Sequence, residues 1–159
     1  MIDTSEFRRV MGHFATGVAV VTTLRPDGTP CGLTASAVCS VSLAPTLILV
    51  CVARDADTHD CIEERGVFAV SVLEERKGET LARRFADVDA GDKFRGVAFR
   101  EERTGAPVLD DALAWLDCRV AQRCPGGDHT VFVGEVLAAD NVEGTPLLYY
   151  RGGYGRFAP

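Results

Sequence analysis

The chain has 159 residues and a formal net charge of −6, with 47% hydrophobic and 25% charged residues. This length and composition are those of one globular domain with its own core, which we expect to span residues 1–159. The negative charge argues against an extended nucleic-acid surface, and no apolar run in the sequence is long enough to span a membrane.

The first predicted helix covers residues 3–14. Asp3 is placed to cap its N-terminus, with Glu6 three residues later as in a capping box. Apolar side chains recur at helical spacing and form one stripe: Phe7, Val10, Met11 and Phe14. Gly17 is expected to end the helix.

The next segments predict a hairpin and then a covered strand. Residues 18–23 are mostly β-branched, which favours a strand, and residues 25–28 read Arg-Pro-Asp-Gly, which predicts a tight turn. Residues 47–52 are apolar at every position, so we expect a strand that is covered on both faces, as in a barrel wall.

Two helices are predicted around a strand in the middle of the chain. Residues 55–65 are polar and predict a helix that is capped by Asp57 or Thr58. A strand over residues 67–73 and a helix over residues 78–86 follow.

The second half of the chain is expected to be mostly strand. Residues 87–109 form a loop region with one short strand near residues 97–99. Beyond it we expect two long strands joined by a glycine-rich hairpin, and a last strand that closes the sheet: residues 113–124, 130–139 and 146–150. Because hairpins predominate and no regular β-α-β alternation occurs, the sequence predicts an antiparallel barrel flanked by two or three helices.

Six cysteines occur, and none forms a Cys-x-x-Cys pair. We expect them to be small apolar side chains in a reducing compartment rather than zinc ligands. The N-terminus is polar from its third residue and does not resemble a secretory signal, so a cytoplasmic location is expected.

Residues 31–58 carry the strongest functional pattern. A segment of small and hydroxyl side chains, residues 34–37, separates two strands, and a polar run that opens a helix follows. Small side chains let a flat ring lie against the main chain, and a helix N-terminus can hold a phosphate. Each feature has an ordinary structural explanation by itself, but together they favour a flat ligand that bears a phosphate.

The sequence contains three histidines, and the common nucleotide and hydrolase motifs are missing from it. His13 and His59 fall on predicted helices, where a structural role is expected, whereas His129 lies at a hairpin edge, where loops commonly carry function. There is no G-x-G-x-x-G after a strand, no Walker loop and no G-x-S-x-G elbow.

The chain resembles the short-chain flavin reductases, the flavin-reductase-like family of split-barrel FMN-binding proteins. The resemblance runs from Phe7 to Tyr154 and rests on blocks that occur together and in order: FATGVAVVTT, GLTASAVCSVSLAPTLILVC, FAVSVL, LARRFA, DKF, GGDHTVFVGEV and PLLYYRGGYG. It is closest to the NAD(P)H-dependent reductases that supply reduced flavin to two-component monooxygenases.

The resemblance implies a mainly β fold, an antiparallel Greek-key split barrel with flanking helices. It also implies hydride transfer from NADH or NADPH to FMN or FAD, a homodimer with flavin sites near the subunit interface, and a monooxygenase partner. Its cofactor-binding positions match Thr34, Ala35, Ser36, Ala37, Ser40, Val41, Ser42, Cys51, Val52, Ala53, Arg54, Asp57, Thr58, Arg84, Phe85 and Ala86. Its nicotinamide-binding positions match His129 and Tyr154, and His129 is the one candidate catalytic side chain.

The sequence departs from the family pattern at two places. Many relatives have Asn-Ser where this chain has Ala35-Ser36 or Ser36-Ala37, and many have two prolines within the segment that matches residues 44–46. These differences leave the choice between FMN and FAD open. No basic cluster stands near His129 in the sequence, which favours NADH over NADPH.

Other functions stay open on the sequence alone. The same fold serves a non-catalytic flavin carrier or redox sensor, and it serves oxidases of pyridoxamine-type substrates, which need a second cationic phosphate pocket. A thiol-based metal protein is a further alternative. A reductase that exports its flavin should bind it loosely, and the small side chains of residues 34–37 are consistent with a shallow site.

Overall fold

The computed structural model describes residues 2–158, which form three helices and twelve strands. The helices are α1 Thr4–Met11, α2 Asp57–Arg65 and α3 Gly78–Ala86. The strands are β1 Thr16–Gly17, β2 Ala19–Leu24, β3 Pro30–Ala35, β4 Val38–Leu43, β5 Thr46–Ala53, β6 Val67–Leu73, β7 Phe99–Glu101, β8 Pro107–Leu109, β9 Ala112–Gly126, β10 His129–Asn141, β11 Leu147–Tyr150 and β12 Gly153–Arg156.

Seven strands form one antiparallel sheet in the order β3-β2-β6-β9-β10-β5-β4. Its two edge strands, β3 and β4, follow each other in the chain and are joined by Ser36 and Ala37 alone. The Cys51 N–H donates to the Ala37 carbonyl at 3.1 Å, so this link stays beside β5. The sheet therefore curls toward closure but stays split at residues 36 and 37.

Side chains from opposite parts of the sheet meet in one buried cluster, which confirms the predicted antiparallel barrel. The cluster includes Val21 of β2, Val50 of β5, Phe68 of β6 and Phe132 of β10, and Ile62 of α2 closes it. The neighbouring residue of β2, Val20, points the other way into a second cluster under α3. Helices thus cover the outside and one end of the barrel.

Local sequence signals placed several elements correctly. The strand over residues 67–73 and the helix over residues 78–86 have the predicted bounds. Asp3 caps α1 by accepting from the Glu6 N–H at 2.9 Å. In the predicted turn, the Gly28 N–H donates to the Arg25 carbonyl at 2.9 Å, and Gly28 has the positive φ of +85° that glycine tolerates best.

The first helix and the last strand differ from the prediction. Helix α1 ends at Met11 rather than Phe14, because the Gly12 N–H closes its last turn on the Arg8 carbonyl and Thr16 then enters β1. Strand β11 does not close the main sheet, because it pairs with β1 and β12 in a separate three-stranded sheet.

The caps and the loop region also need correction. Neither Asp57 nor Thr58 caps α2; Ala56 occupies the N-cap position with extended backbone and makes no side-chain cap. The region after α3 holds two short paired strands, β7 and β8, instead of one. Strand β8 is fully buried because its apolar side chains cover the outer face of the sheet.

Strand β5 is covered on one face only. Ile48, Val50 and Val52 are buried in the barrel, whereas Leu49 and Cys51 on the other face are half-buried. Leu49 borders one cavity and Cys51 borders another, so the second face of β5 lacks the cover that the sequence predicted. Among residues 2–158, no helix has the length and apolarity needed to cross a membrane.

Candidate functional site

A cleft of about 830 Å³ opens where β3, β5, α2 and the end of α3 meet. That volume lies within the range of cofactor pockets. Its wall is formed by Arg25, Thr29, Pro30, Cys31, Gly32, Leu33, Thr34, Ala35, Ser36, Ala37, Cys51, Ala53, Asp55, Ala56, Asp57, Thr58, Phe85, Ala86, Val88, Ala90, Gly91, Asp92, Lys93, Phe94 and His129. The structure thus brings eleven of the predicted site residues to one surface: Thr34, Ala35, Ser36, Ala37, Cys51, Ala53, Asp57, Thr58, Phe85, Ala86 and His129.

The small residues at the split of the barrel present main chain to the cleft. The Thr34 hydroxyl donates to the Ala82 carbonyl of α3 at 2.7 Å, so it is turned away from solvent. Ser36 and Ala37 are exposed and fall between the β2–β3 and β4–β5 ladders. Their N–H groups have no hydrogen bond to other residues in the range 2–158, so they can donate to a bound ring.

The N-terminus of α2 forms the anion-binding end of the cleft. Helix α2 has no side-chain cap at Ala56. Thr58 in its first turn is 3% exposed, lines the cleft, and makes no side-chain hydrogen bond within the described chain. Unpaired first-turn N–H groups and an unpartnered hydroxyl at a positive helix end favour a phosphate.

His129 begins β10 directly opposite Ala53 in the β10–β5 ladder and lies on the wall of the cleft. Its Nδ1 donates to the Asp128 carboxylate at 2.7 Å, and its side chain is 44% exposed. This hydrogen bond, with the charge of His129, lowers the pKa of Asp128. The Arg54 N–H holds the same turn by donating to the Asp128 carbonyl at 3.0 Å, so the histidine is oriented from both sides.

The other two histidines lie away from the cleft wall. His59 is buried, and its Nε2 lies 2.9 Å from the Thr130 hydroxyl while its ring packs against Phe132. It therefore fastens α2 to β10, the two elements that carry Thr58 and His129. His13 is exposed beyond the end of α1, with its ring centre 6.1 Å from that of Tyr150.

Seven predicted site residues do not line this cleft: Ser40, Val41, Ser42, Val52, Arg54, Arg84 and Tyr154. Val52 points into the barrel core, and Arg84 Nη1 donates to the Arg95 carbonyl at 2.9 Å. Residues 40–42 lie on the edge strand β4, beyond the turn of main chain at Ser36. A contact of these residues with the cofactor stays a prediction.

Tyr154 lies at a different cavity, of about 740 Å³, between α3 and the β11–β12 hairpin. Arg83 stacks 5.0 Å from the centre of the Tyr154 ring, and Tyr149 packs against that ring at 5.5 Å. Burial raises the pKa of Tyr154. Within one chain, Tyr154 and His129 therefore do not share a site.

Sequence reasoning missed two cationic residues of the cleft, Arg25 and Lys93. The sequence indicates only a turn at Arg25, yet that turn follows β2 and lies beside the N-terminus of α2. Lys93 lies in the DKF block, for which the sequence predicts no site role. The segment from Val88 to Phe94 forms one side of the cleft. The Lys93 Nζ donates to the Phe85 carbonyl at 3.1 Å, at the C-terminal end of α3.

A second cavity, of about 1150 Å³, adjoins the first at residues 35–37. Its wall includes the apolar side chains of α1, and no residue of α1 is buried. Phe7, Met11 and Phe14 are 54%, 50% and 72% exposed. A cavity therefore opens on each side of the split in the barrel at residues 36 and 37.

The cysteines are free thiols, and Cys51 alone of them lies half-buried on the cleft wall. Burial raises the pKa of the Cys51 thiol, and it raises that of Cys118 in the core to about 12. Within residues 2–158, no group of three or more His, Cys, Asp or Glu side chains is arranged to hold a metal ion.

Comparison with known proteins identifies the kind of domain that this cleft belongs to. The family model described as "Flavin reductase like domain" matches residues 11–158. The chain belongs to this family. The match covers all of the elements from the end of α1 onward, so the predicted family and split-barrel fold are confirmed.

Several relatives of this flavin reductase family cover the chain almost completely. The NADH flavin reductase of Kitasatospora aureofaciens is 45% identical over 99% of this chain and 83% of that protein. The reductase component of the 4-nitrophenol and 4-nitrocatechol monooxygenase of Rhodococcus opacus is 44% identical over 99% and 83%. A solved structure of the NADH:FAD oxidoreductase of Streptomyces globisporus, in complex with NAD and FAD fragments, superposes with a TM-score of 0.91 at 42% identity and covers 99% of this chain and 94% of that one.

Proposed function

We propose that this protein is an NADH-dependent flavin reductase that binds FMN or FAD in the cleft at residues 34–37 and passes the reduced flavin to a monooxygenase. The observation that carries this proposal is the cleft itself. It joins unpaired main-chain N–H groups at Ser36 and Ala37, the uncapped N-terminus of α2, and His129. Relatives at 44% and 45% identity are reductases of this kind, and none of the matches supports a non-catalytic carrier.

The residues of the cleft fit a bound flavin. Small side chains at Ala35 and Ala37 leave room for a flat ring against the main chain. Thr58 is 3% exposed and lines the cleft at the positive end of α2, where a phosphate would accept from its hydroxyl. The N–H groups of Ser36 and Ala37 would hold the ring edge on which negative charge develops.

The flavin and the nicotinamide supply the redox chemistry themselves, one as hydride acceptor and the other as donor. The protein need not provide a nucleophile or a strong base. Its residues orient the two rings and exclude water from between them. His129, fixed by Asp128, would bind or position the nicotinamide at the rim of the cleft and does not need to transfer a proton.

NADH is the proposed donor because relatives that are 45% and 42% identical to this chain are named as NADH-dependent reductases of flavin.

The remaining features of the proposal concern assembly and location. We assign residues 1–159 to one flavin-reductase-like domain, which forms a homodimer through the exposed apolar side chains of α1 and of Phe14 just beyond it. A second copy would cover Phe7, Met11 and Phe14 and would adjoin Ser36 and Ala37, so each flavin site would lie at the interface. A cytoplasmic location agrees with free thiols throughout and with NADH as donor.

A steady-state assay of NADH and NADPH oxidation with FMN, FAD and riboflavin tests the activity. We expect turnover that depends on added flavin, with NADH preferred over NADPH. Binding of flavin without nicotinamide oxidation would instead identify a carrier or sensor. Oxidation of a pyridoxamine-type substrate without nicotinamide turnover would identify an oxidase.

A further inference from the structure

The charges along the cleft are unusual for a site that binds a phosphate. Two cationic side chains, Arg25 and Lys93, line it together with three carboxylates, those of Asp55, Asp57 and Asp92. A phosphorylated flavin would add further negative charge to a wall that already carries a formal excess of one. The positions of these five groups decide how strongly the phosphate can be held.

Only one of the two cations lies beside the N-terminus of α2. Arg25 Nη2 stands 3.6 Å from Asp57 Oδ2, and Asp57 is the first residue of the helix. Lys93 instead lies at the C-terminal end of α3, where its Nζ donates to the Phe85 carbonyl. Arg25 is therefore the cation that can reach an anion bound at the first turn of α2.

The contact between Arg25 and Asp57 is loose and open to solvent. It is one contact of 3.6 Å, with the two side chains 41% and 80% exposed. A pair of this kind contributes little to stability, so the guanidinium can turn to another anion at small cost. A phosphate offers a better partner, because it accepts two parallel hydrogen bonds from a guanidinium.

We propose that Arg25 and Asp57 act in opposite directions on the flavin phosphate. Arg25 binds the phosphate at the N-terminus of α2, and Asp57 weakens that binding because its carboxylate stands on the same helical turn. Together they hold the phosphate loosely enough for release of the reduced flavin. This proposal rests on the proposed function, since it concerns the affinity of the same site.

The test compares the dissociation constants of FMN and riboflavin, which differ only in the phosphate, by flavin fluorescence quenching. Arg25→Gln should weaken FMN binding by roughly tenfold, the low end for a hydrogen bond to a charged group because the site is open to solvent, and leave riboflavin within about twofold. Asp57→Asn should tighten FMN binding by about threefold and leave riboflavin unchanged, because it removes a nearby like charge.

Two control variants make the same chemical changes away from the cleft. Arg119 pairs with Glu135 and Asp111 pairs with Lys77, both on exposed surface. Arg119→Gln and Asp111→Asn match the changes in net charge and should leave both flavins within about twofold of the unchanged protein.

Each result separates this inference from the proposed function. If the unchanged protein binds neither FMN nor riboflavin, the proposed function fails. If it binds both, and Arg25→Gln or Asp57→Asn shifts FMN and riboflavin equally, the phosphate role is wrong. Weaker FMN binding in Asp57→Asn would show that Asp57 is a ligand or a structural cap, and would overturn its assigned role.

Discussion

His129 lies on the cleft wall, and its side chain is held by one defined contact. Asp128 fixes one ring nitrogen at 2.7 Å, so the other is free to face the cleft. Because the hydride passes between two cofactors, loss of this side chain should affect binding more than chemistry. For His129→Ala we expect the KM for NADH to rise about tenfold, with kcat within about threefold.

The exposed His13 provides the control for this prediction. It lies beyond α1 and does not line the cleft, so His13→Ala should change neither constant. A large fall in kcat with an unchanged KM for His129→Ala would mean that His129 takes part in the chemical step.

Cys51 reports on occupancy of the cleft without any measurement of turnover. Its thiol lies on the wall, and burial raises its pKa, so a smaller fraction is thiolate at pH 7 than for an ordinary cysteine. We expect alkylation of Cys51 to be slow, to accelerate as the pH is raised toward that pKa, and to slow at least about fivefold further when FMN is added.

Peptide mass spectrometry gives the labelling rate at each cysteine. Exposed Cys124 lies outside the cleft wall, so its alkylation should be rapid and indifferent to FMN. Equal rates at Cys51 with and without saturating FMN would place the flavin elsewhere.

At the scale of elements, the β7–β8 pair is held to the barrel by a buried carboxylate. Asp117 of β9 is fully buried and accepts from the Thr104 N–H at 2.8 Å and from the Thr104 hydroxyl. Asp117→Ala leaves both Thr104 donors without this partner at a half-buried position. We expect the free energy of unfolding in urea to fall by about 2 to 4 kcal/mol.

The matched control for this prediction is Asp111→Ala. Asp111 makes an exposed ion pair with Lys77, so its loss should cost less than about 1 kcal/mol. A similar small change for Asp117→Ala would mean that the segment before β8 is held by its apolar contacts alone.

Local signals in the sequence were sufficient to predict elements whose ends are set by their own neighbouring residues. Strand β6 and helix α3 were predicted with their observed bounds, because periodicity and flanking residues agree there. The end of α1 and the cap of α2 were not predicted correctly. Both depend on tertiary structure, because β1 pairs with the distant β11 and Ala56 is held at the N-cap position of α2.

The same distinction holds for the site. Residues 34–37 could be found because small and hydroxyl side chains are contiguous there. Arg25 and Lys93 could not be found in this way, because a hairpin and the loop after α3 bring them to the cleft from separate parts of the chain. Local sequence patterns do not reveal that residues so far apart in sequence line one cleft.

At the scale of the whole molecule, α1 is a helix in which no residue is buried within the described range 2–158. Its apolar side chains are exposed beside the split of the barrel. If a second copy covers them, a charge at Phe14 should separate the dimer. For Phe14→Asp we expect a monomer by analytical ultracentrifugation at micromolar concentration, together with weaker flavin binding.

Val142→Asp is the control, since Val142 is 63% exposed and does not line the cavity beside α1. That variant should stay dimeric and bind flavin as the unchanged protein does. A protein that sediments as a monomer before any substitution would contradict the proposed dimer.

A crystal structure of the protein soaked with FMN shows directly where the flavin binds. We expect the ring to lie against the main chain of Ala35, Ser36 and Ala37, with the phosphate at the first turn of α2. Density for the flavin in another cavity, with nothing beside Ser36, would contradict it.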